Sequence, residues 1–258
     1  MKISIVIVSW NTKDLLKKCL QSLIKYGEDF DLEIFVIDNA STDGTTWMMK
    51  NDFPEINFIP NKDNAGFAKA NNQGIKLSTG DYVLLLNPDT EIFSDTLPSS
   101  VKFMEENPSC GVMGCKMVYK NGKLQPSVRR FPRFWPILLM FLKLPKVFPH
   151  LGSVERYLAT DFDYEKTQEV DQVMGAYMFI RPKAFDRIGL LDEDFFIWFE
   201  EVDFCRRIWK AEYKVMYFAG AKIIHHGGQS FAQQKMVKNQ MNFFKSALKY
   251  FRKNGFRS

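Results

Sequence analysis

The feature that most constrains the fold is an alternation of apolar strands and amphipathic helices near the start of the chain. Runs rich in leucine or β-branched residues have the length and composition of strands buried on both faces: residues 3–9, 32–37, 56–59 and 82–86. Apolar residues repeat at helical spacing from Leu15 to Ile24, and residues 65–78 carry a second helical pattern. Strands separated by helices predict an α/β fold with a mostly parallel central sheet flanked by helices.

Polar residues follow three of these strands at the point where each strand ends. The segments are Ser9-Trp10-Asn11, Asp38-Asn39-Ala40-Ser41 and Asn87-Pro88-Asp89. Ligands of open parallel sheets bind beyond the carboxyl ends of the strands. One such end is an ordinary turn, but three adjacent ends predict a polar crevice.

Familiar nucleotide-binding fingerprints are absent from the chain. No G-x-G-x-x-G follows the first strand and no G-x-x-x-x-G-K-[ST] occurs, which argues against a dinucleotide oxidoreductase and a P-loop phosphotransferase. A calcium loop starting at Asn39 is excluded because Lys50 stands where the bidentate glutamate belongs.

A divalent cation that bridges phosphates would remove the need for a glycine-rich loop. Mg²⁺ and Mn²⁺ take one or two carboxylates together with phosphates and water. Asp89 suits this role because Pro88 stiffens the turn before it. The alternative, an Asx-type turn at Asp89, is favoured by the local pattern alone.

A second group of carboxylates lies in WFEEVDFCRR. In a helix over 199–210, Glu200 and Asp203 share a face while Glu201 points about 100° away, and Asp203 is placed to pair with Arg206 or Arg207. Aromatic neighbours would desolvate Glu200 and Glu201 and raise the pKa toward that of a general base. The alternative is a solvated helix N-terminus enriched in acids. The flanking aromatic residues are Phe196, Trp198 and Phe199.

Two of the three histidines of the chain stand together in HHGGQS, residues 225–230. Because this segment follows a predicted strand, a histidine here either completes a metal site or caps a turn. The sequence leaves both alternatives open.

Residues 119–170 break the strand–helix rhythm and are interpreted as an insertion in one domain. They hold a basic cluster and an apolar stretch: Arg129, Arg130, Arg133 and residues 134–148. After them, a helical stripe is predicted to carry Met241, Phe244, Leu248 and Phe251 among lysines. Both apolar stretches either lie in a membrane interface or pack on the core or on a second subunit of a homodimer.

These patterns divide the chain into one domain over 1–236 and a basic amphipathic helix or tail over 237–258. Within the domain, residues 1–118 and 171–236 form two halves on either side of the insertion. We expect the first half to bind a nucleotide and the second to hold the acceptor and the catalytic groups.

Composition adds an expected location. The net charge of +5 is compatible with anionic ligands or an anionic membrane surface, and nucleic acid is not among the predicted partners. Four cysteines with neither C-x-x-C spacing nor a disulfide framework predict reduced thiols. No run approaches the roughly 20 apolar residues of a bilayer-spanning helix, and the opening run is too short for a signal peptide. A cytoplasmic protein is expected.

Taken in order, seven motifs resemble the family 2 inverting glycosyltransferases with the GT-A fold, especially the bacterial rhamnosyltransferase-like branch that builds surface polysaccharides. They are VIVSWN, VIDNASTDGT, NAGFAKANNQG, GDYVLLLNPDTE, MGAYMFIRPKAF, GLLDEDFFIWFEEVDFCRR and HHGGQS. The resemblance implies a GT-A-type, Rossmann-like sheet and a dTDP- or UDP-linked sugar donor such as dTDP-rhamnose. It also implies a glycan or lipid-linked glycan acceptor at the inner face of the membrane.

The resemblance implies a set of residues around the nucleotide sugar. Asp38 would contact the base or ribose, and the strand-one end would line the nucleotide pocket. The glycine at 175 and the alanine after it would face the sugar or the acceptor. The full set is Ser9, Trp10, Asn11, Asp38, Asn39, Ser41, Asn64, Gly66, Phe67, Asn87, Gly175 and Ala176.

The resemblance also implies a metal site and a catalytic base. Asp89 matches the last acid of the family's D-x-D motif, while Asn87 replaces the first, so Asp89 would hold Mg²⁺ or Mn²⁺ with little carboxylate help. His225 matches a metal-ligating position, with His226 as the second choice. Glu201 matches the catalytic base, where aspartate is usual.

Glu200 would be the partner of this base.

Two rival functions have weaker support. A nucleotidyltransferase should show a basic, glycine-rich N-terminal loop, which VSWNTKDLL lacks. A sugar-nucleotide-binding protein without activity would not need Glu201.

Overall fold

A computed structural model of the protein describes residues 1–144, 150–227 and 236–256. The strands are β1 (Lys2–Ser9), β2 (Asp31–Asp38), β3 (Asn57–Pro60), β4 (Tyr82–Leu86), β5 (Thr90–Ile92), β6 (Cys110–Val118), β7 (Leu124–Gln125), β8 (Val128–Arg129), β9 (Gln168–Glu169), β10 (Gln172–Val173), β11 (Tyr177–Ile180) and β12 (Lys214–His225). The helices are α1 (Lys13–Tyr26), α2 (Thr45–Asp52), α3 (Phe67–Leu77), α4 (Thr96–Glu106), α5 (Phe134–Phe141), α6 (Gly152–Leu158), α7 (Lys183–Ile188), α8 (Glu200–Lys210) and α9 (Met236–Asn254).

The predicted α/β fold with a central sheet is confirmed. The strand order is β3-β2-β1-β4-β11-β6-β12-β5, with β7 added to β6 and β9 added to β12. The first four strands are parallel, and β11 runs antiparallel between β4 and β6. A separate pair of strands, β8 and β10, lies beside this sheet.

Alternating side chains of β1 explain why the sheet is buried on both faces. Ile3, Ile5 and Ile7 pack into one apolar cluster with α1, whereas Val6 and Val8 pack into a second cluster with α3. A period of two therefore places each set on its own side of the sheet. The sheet forms the middle layer between helices.

The insertion packs on the rest of the domain, although residues 145–148 of the apolar stretch lie outside the described residues. Its strand β8 pairs with β10. Its helix α5 shares a third apolar cluster with the start of α8 and with α9. The buried members of this cluster are Ile137, Phe195, Phe199, Val202, Ala247, Tyr250 and Phe251.

The predicted apolar stripe of the C-terminal helix is divided between the core and the surface. Phe251 is buried, whereas Met241 is 53% exposed and Phe244 is 43% exposed. The inward face instead carries Ala247, Tyr250 and Phe251, because the helix is rotated to pack on α5 and on the segment before α8. Among the helices of the described ranges, none combines the length and apolarity that crossing a bilayer requires.

Candidate active site

The structure has a pocket beside the strand ends at which the sequence predicts a polar crevice. β1 pairs in parallel with β2 on one side and with β4 on the other, and Ser9 lies opposite Asp38 in the register. A pocket of about 630 Å³ opens beside these ends. Most of the predicted site residues line it: Trp10, Asn39, Asn64, Gly66, Phe67, Asn87, Asp89, Gly175, Ala176, Glu200, Glu201 and His225.

The remaining predicted residues, Ser9, Asn11, Asp38 and Ser41, do not line this pocket. They form a hydrogen-bonded support beneath it. The Ser41 hydroxyl and backbone N–H donate to Asp38 at 2.6 and 2.9 Å, and the Asn11 N–H donates to Ser41 Oγ at 2.8 Å. Burial raises the pKa of the Asp38 carboxyl, and the bonds from Ser41 oppose that rise.

Gly66 joins the nucleotide side of the pocket to the segment before α8. Its φ of +85° and a would-be Cβ only 2.6 Å from the Phe196 carbonyl oxygen leave room for glycine alone. The next residue, Phe67, donates its N–H to the same oxygen at 2.8 Å. The start of α3 and the acid-bearing segment are thereby held together.

At one end of the pocket, Asp89 and His225 lie side by side, both buried. His225 Nε2 is 3.4 Å from Asp89 Oδ1, and within the described residues it has no hydrogen-bond partner. His225 Nδ1 lies 2.9 Å from Gln125 Oε1, an oxygen that can only accept, so Nδ1 is the donor of this bond and Nε2 is the nitrogen directed toward Asp89. A buried carboxylate beside an imidazole nitrogen fits a divalent cation.

His226 and Asn87 are arranged differently from this pair. His226 Nε2 lies 2.7 Å from Glu91 Oε1, so its ring is already engaged. The Asn87 backbone accepts from the Thr90 hydroxyl at 2.7 Å and donates to the Ala176 carbonyl at 3.1 Å. Across residues 1–144, 150–227 and 236–256, no group of three or more His, Cys, Asp or Glu side chains is placed to hold a metal. Further ligands would have to come from a bound diphosphate and water.

At the other end, α8 begins with two carboxylates in the pocket wall. Within the described residues, Glu200 Oε2 and Glu201 Oε2 have no hydrogen-bond partner. Burial, together with the charge of Glu201, raises the pKa of Glu200 far above its usual value. Burial raises the pKa of Glu201 to about 7, against opposing backbone N–H groups. A pair of this kind contains a neutral acid and a base that ionises near neutral pH.

The backbone before α8 is held in an unusual conformation. Trp198 and Phe199 have φ values of 64° and 71°, a left-handed region that bulky residues seldom adopt. Their rings contact Phe243 of α9 at centroid distances of 5.8 and 5.4 Å, and the Ser246 hydroxyl donates to the Ile197 carbonyl at 2.8 Å. Helix α9 thus fixes the segment that presents the acids.

The predicted pairing of Asp203 is confirmed for Arg207, whose Nε donates to it at 2.8 Å. Arg206 instead donates to the Tyr250 hydroxyl at 3.0 Å. Asp203 also contacts Lys253 of α9 at 2.9 Å. It is therefore a structural carboxylate, unlike the two acids before it.

One wall of the pocket consists of residues that the sequence did not single out as binding residues. It comes from the insertion and from the β8–β10 pair. The one sequence feature that points to this wall is the basic cluster that contains Arg129, and its charge alone does not predict a place in the pocket. The wall contains Tyr119, Gln125, Ser127, Arg129, Tyr157 and Gln172.

Comparisons with known proteins agree on one family. The profile of Glycosyl transferase family 2 matches residues 4–188. The N-acetylglucosaminyl-diphospho-decaprenol L-rhamnosyltransferase of Mycobacterium tuberculosis (strain CDC 1551 / Oshkosh) is 24% identical over 88% of this chain and 76% of that protein. Rhamnosyltransferase WbbL of Escherichia coli (strain K12) is 25% identical over 98% of this chain and 90% of that one.

A solved structure of GalNAc-T7 with UDP, GalNAc and Mn²⁺ shares the fold, with a TM-score of 0.66 at 18% identity. The likeness covers 87% of this chain and 43% of that one, so the chain spans less than half of GalNAc-T7. The fold agrees with the family profile, and the profile covers most of the chain. The chain therefore belongs to glycosyl transferase family 2.

Proposed function

We propose that the protein is an inverting glycosyltransferase that transfers a sugar from a dTDP- or UDP-linked donor, with dTDP-rhamnose the first candidate. The acceptor is a hydroxyl group of a glycan or lipid-linked glycan in surface polysaccharide synthesis. The observation that carries the proposal is one pocket lined both by Glu201, whose pKa is about 7 and whose Oε2 has no hydrogen-bond partner among the described residues, and by the Asp89–His225 pair. The names of the Mycobacterium tuberculosis and Escherichia coli relatives support rhamnose, and the name of the Mycobacterium tuberculosis relative supports a lipid diphosphate acceptor.

Glu201 is the base of the proposed reaction. Its carboxylate takes the proton of the acceptor hydroxyl while that oxygen attacks the anomeric carbon from the face opposite the diphosphate. The bond to the acceptor oxygen forms as the bond to the diphosphate oxygen breaks, so the anomeric centre is inverted. A pKa of about 7 suits this role because half of the carboxylate is ionised at neutral pH.

Glu200 supports this base by staying protonated. Its pKa is raised far above the usual value because it is buried beside Glu201. Two carboxylates this close rarely ionise together, so a neutral Glu200 leaves the negative charge on Glu201.

Asp89 and His225 are the residues that would hold Mg²⁺ or Mn²⁺. When bound, the cation supplies Lewis-acid stabilisation of the charge that develops on the leaving diphosphate. Asn87 contributes no charge here, so Asp89 brings the carboxylate and His225 the imidazole lone pair. Gln125 orients the imidazole through its 2.9 Å contact with Nδ1.

A donor screen with a matched histidine pair tests the proposal. Thermal shift with UDP- and dTDP-sugars, with and without Mn²⁺ or Mg²⁺, should select one donor that the metal helps to bind. His225→Asn should lose the metal-dependent part of the shift, whereas His226→Asn, the control beside it, should keep it. Slow release of free nucleoside diphosphate from the selected donor should accompany binding.

Three outcomes would contradict the proposal. One is a protein that binds no nucleoside diphosphate, and another is a protein that binds a donor but never turns it over. The third is a His226→Asn variant that loses the metal response while His225→Asn keeps it, which would move the metal site to the neighbouring histidine.

A further inference from the structure

The pocket wall contributed by the insertion carries a cation that the mechanism above does not use. Arg129 ends β8, and the β8–β10 pairing places it opposite Gln172. Arg129 lines the pocket, and its guanidinium donates from Nη1 to the Val128 carbonyl at 2.7 Å. Within the described residues, no carboxylate lies within ion-pair distance of it.

The arginine that follows Arg129 is engaged elsewhere. Arg130 Nη2 pairs with Asp161 at 2.8 Å, at a site where both side chains are largely exposed. Arg129 is also the one lysine or arginine among the described residues of the pocket lining. An unpaired guanidinium in a partly buried pocket is suited to an anionic ligand group, which it can bind through two parallel N–H···O bonds.

Contacts tie the strand that carries Arg129 to the start of α8. The N–H of the next residue, Arg130, donates to the Tyr157 carbonyl at 3.0 Å, and Tyr157 packs against the third apolar cluster, which contains Val202 of α8. Burial raises the pKa of this tyrosine, the Arg129 cation opposes the rise, and the Glu201 charge adds to it. An anionic group bound by Arg129 would therefore lie near the base that activates the acceptor.

The helices beside Arg129 also carry an exposed apolar surface. Tyr157 and Phe243 line the pocket, and both pack against the third apolar cluster, to which α5 contributes. On the outside of the same helices, the rings of Phe141 and Phe244 are 4.9 Å apart. We call the exposed residues here the α5–α9 surface: Trp135, Leu142, Met241 and Phe244.

We propose that Arg129 binds a phosphate group of the acceptor and that the α5–α9 surface holds the apolar chain attached to that phosphate. The inference rests on the proposed function and names the residues that hold its lipid-linked acceptor. A cation in the pocket lining and an exposed apolar surface on the neighbouring helices offer separate contacts to the phosphate and to the hydrocarbon of such a molecule. A sugar carboxylate would satisfy Arg129 but would leave the apolar surface unused.

Direct binding of small prenyl compounds tests the assignment without requiring transfer. Farnesyl diphosphate, farnesyl phosphate and farnesol are titrated by calorimetry into the full chain, first alone and then in the presence of saturating nucleoside diphosphate and Mn²⁺. The two phosphates should bind at least about 10-fold more tightly than farnesol, as expected for charge-assisted bonds. Whichever phosphate binds more tightly identifies the monoester or the diphosphate as the acceptor group.

Matched arginine variants locate the phosphate. Arg129→Met should weaken both phosphates at least about 10-fold while nucleoside diphosphate affinity stays unchanged. The phosphate affinity of Arg129→Lys should fall between those of Arg129→Met and the wild type, because lysine keeps the charge but loses the paired N–H geometry of arginine. Arg130→Met should bind like the wild type. Phe244→Ser should weaken farnesyl phosphate but leave inorganic pyrophosphate unaffected.

Equal binding of farnesyl phosphate by Arg129→Met and the wild type would overturn the inference, and so would equal losses in Arg129→Met and Arg130→Met. A parallel loss of nucleoside diphosphate affinity in Arg129→Met would reassign the residue to the donor. A wild type that binds farnesyl phosphate but no nucleoside diphosphate would instead count against the proposed function, since the two titrations are independent.

Discussion

The turn after β2 and the start of α8 both bury carboxylates near the pocket, yet the two places treat them in opposite ways. At the turn, both oxygens of Asp38 accept hydrogen bonds from Ser41, at 2.6 and 2.9 Å. At the start of α8, Glu200 and Glu201 each keep a buried oxygen without a partner among the described residues. The first arrangement offsets part of the cost of ionising a buried carboxyl, whereas the second leaves more of that cost in place.

The backbone conformations of the two places also differ, in the cost of their left-handed φ angles. The turn has left-handed φ at Ala40, and so has Asn11 after β1, whose N–H donates to Ser41 of the turn. Both residues are small enough to adopt it at modest cost. The segment before α8 imposes it on Trp198 and Phe199, at a cost of about 1 kcal/mol or more each. Packing on α9 offsets that cost. Strain and unpaired oxygens together mark the α8 end as the chemical one and the turn as its support.

Among substitutions that test this contrast, replacing the proposed base is expected to have the largest effect, a loss of transfer rate. Glu201→Gln should lower the transfer rate by about 10²–10⁴-fold, because an amide cannot accept the acceptor proton, and should leave nucleoside diphosphate affinity nearly unchanged. Asp38→Asn should do the reverse, with lower thermal stability and weaker nucleotide binding but a smaller loss in turnover per bound donor. Steady-state kinetics and thermal unfolding measure both. Near-normal turnover in Glu201→Gln would remove the base assignment.

The pH profile tests whether burial sets the reactivity of the α8 end. If Glu201 is the base of the proposed reaction, it acts when ionised. With a pKa of about 7, the rate should then fall about tenfold for each pH unit below 7. Burial is the main cause of the raised pKa of Glu201, so Glu200→Gln should keep the midpoint of this acid limb of the pH–rate profile near 7. Phe243→Ser, which admits water beside the acids, should move the midpoint toward the ordinary pKa of glutamate. A limb that shifts more in Glu200→Gln than in Phe243→Ser would make the neighbouring charge the main cause.

The difference between these two places also separates what the sequence could predict from what it could not. Strand–helix alternation fixes which strand ends meet, so the segments at Ser9, Asp38 and Asn87 were predictable as one site. The wall around Arg129 depends on β8 and β10, two strands of two residues each, whose pairing leaves no periodic pattern. Left-handed φ at Trp198 contradicts residue preference, and the contact of Trp198 with Phe243 of α9 joins segments far apart in the chain, which no local pattern predicts.

The next largest effect is expected in the pH dependence of the free energy of unfolding. The folded pKa of Glu201, about 7, lies above its unfolded value of 4.5. The folded state therefore binds the proton more tightly, and the free energy of unfolding falls as pH rises from about 4.5 to 7. Glu201→Gln should remove this loss and raise stability at pH 8 by about 1–3 kcal/mol, with no gain at pH 4.

Urea denaturation at both pH values measures this difference. Glu106→Gln is the matched control, because Glu106 is largely exposed on α4 in a loose pair with Lys102 at 3.9 Å, and it should change stability equally little at both. Equal effects of Glu201→Gln at pH 4 and pH 8 would show that the carboxylate is not desolvated in solution.

The smallest effect is expected at the turn. Ser41→Ala removes both the hydroxyl that donates to Asp38 and the oxygen that accepts from Asn11, which should cost about 1–2 kcal/mol. Since Asp38 would then be less well paired, its already raised pKa should rise further, and the loss should be larger at pH 7 than at pH 3. Ser99→Ala, whose hydroxyl bonds only within its own helix region, should stay within about 0.5 kcal/mol at both. A pH-independent loss in Ser41→Ala would mean that the turn does not stabilise the Asp38 charge, and the contrast with α8 would then rest on backbone strain alone.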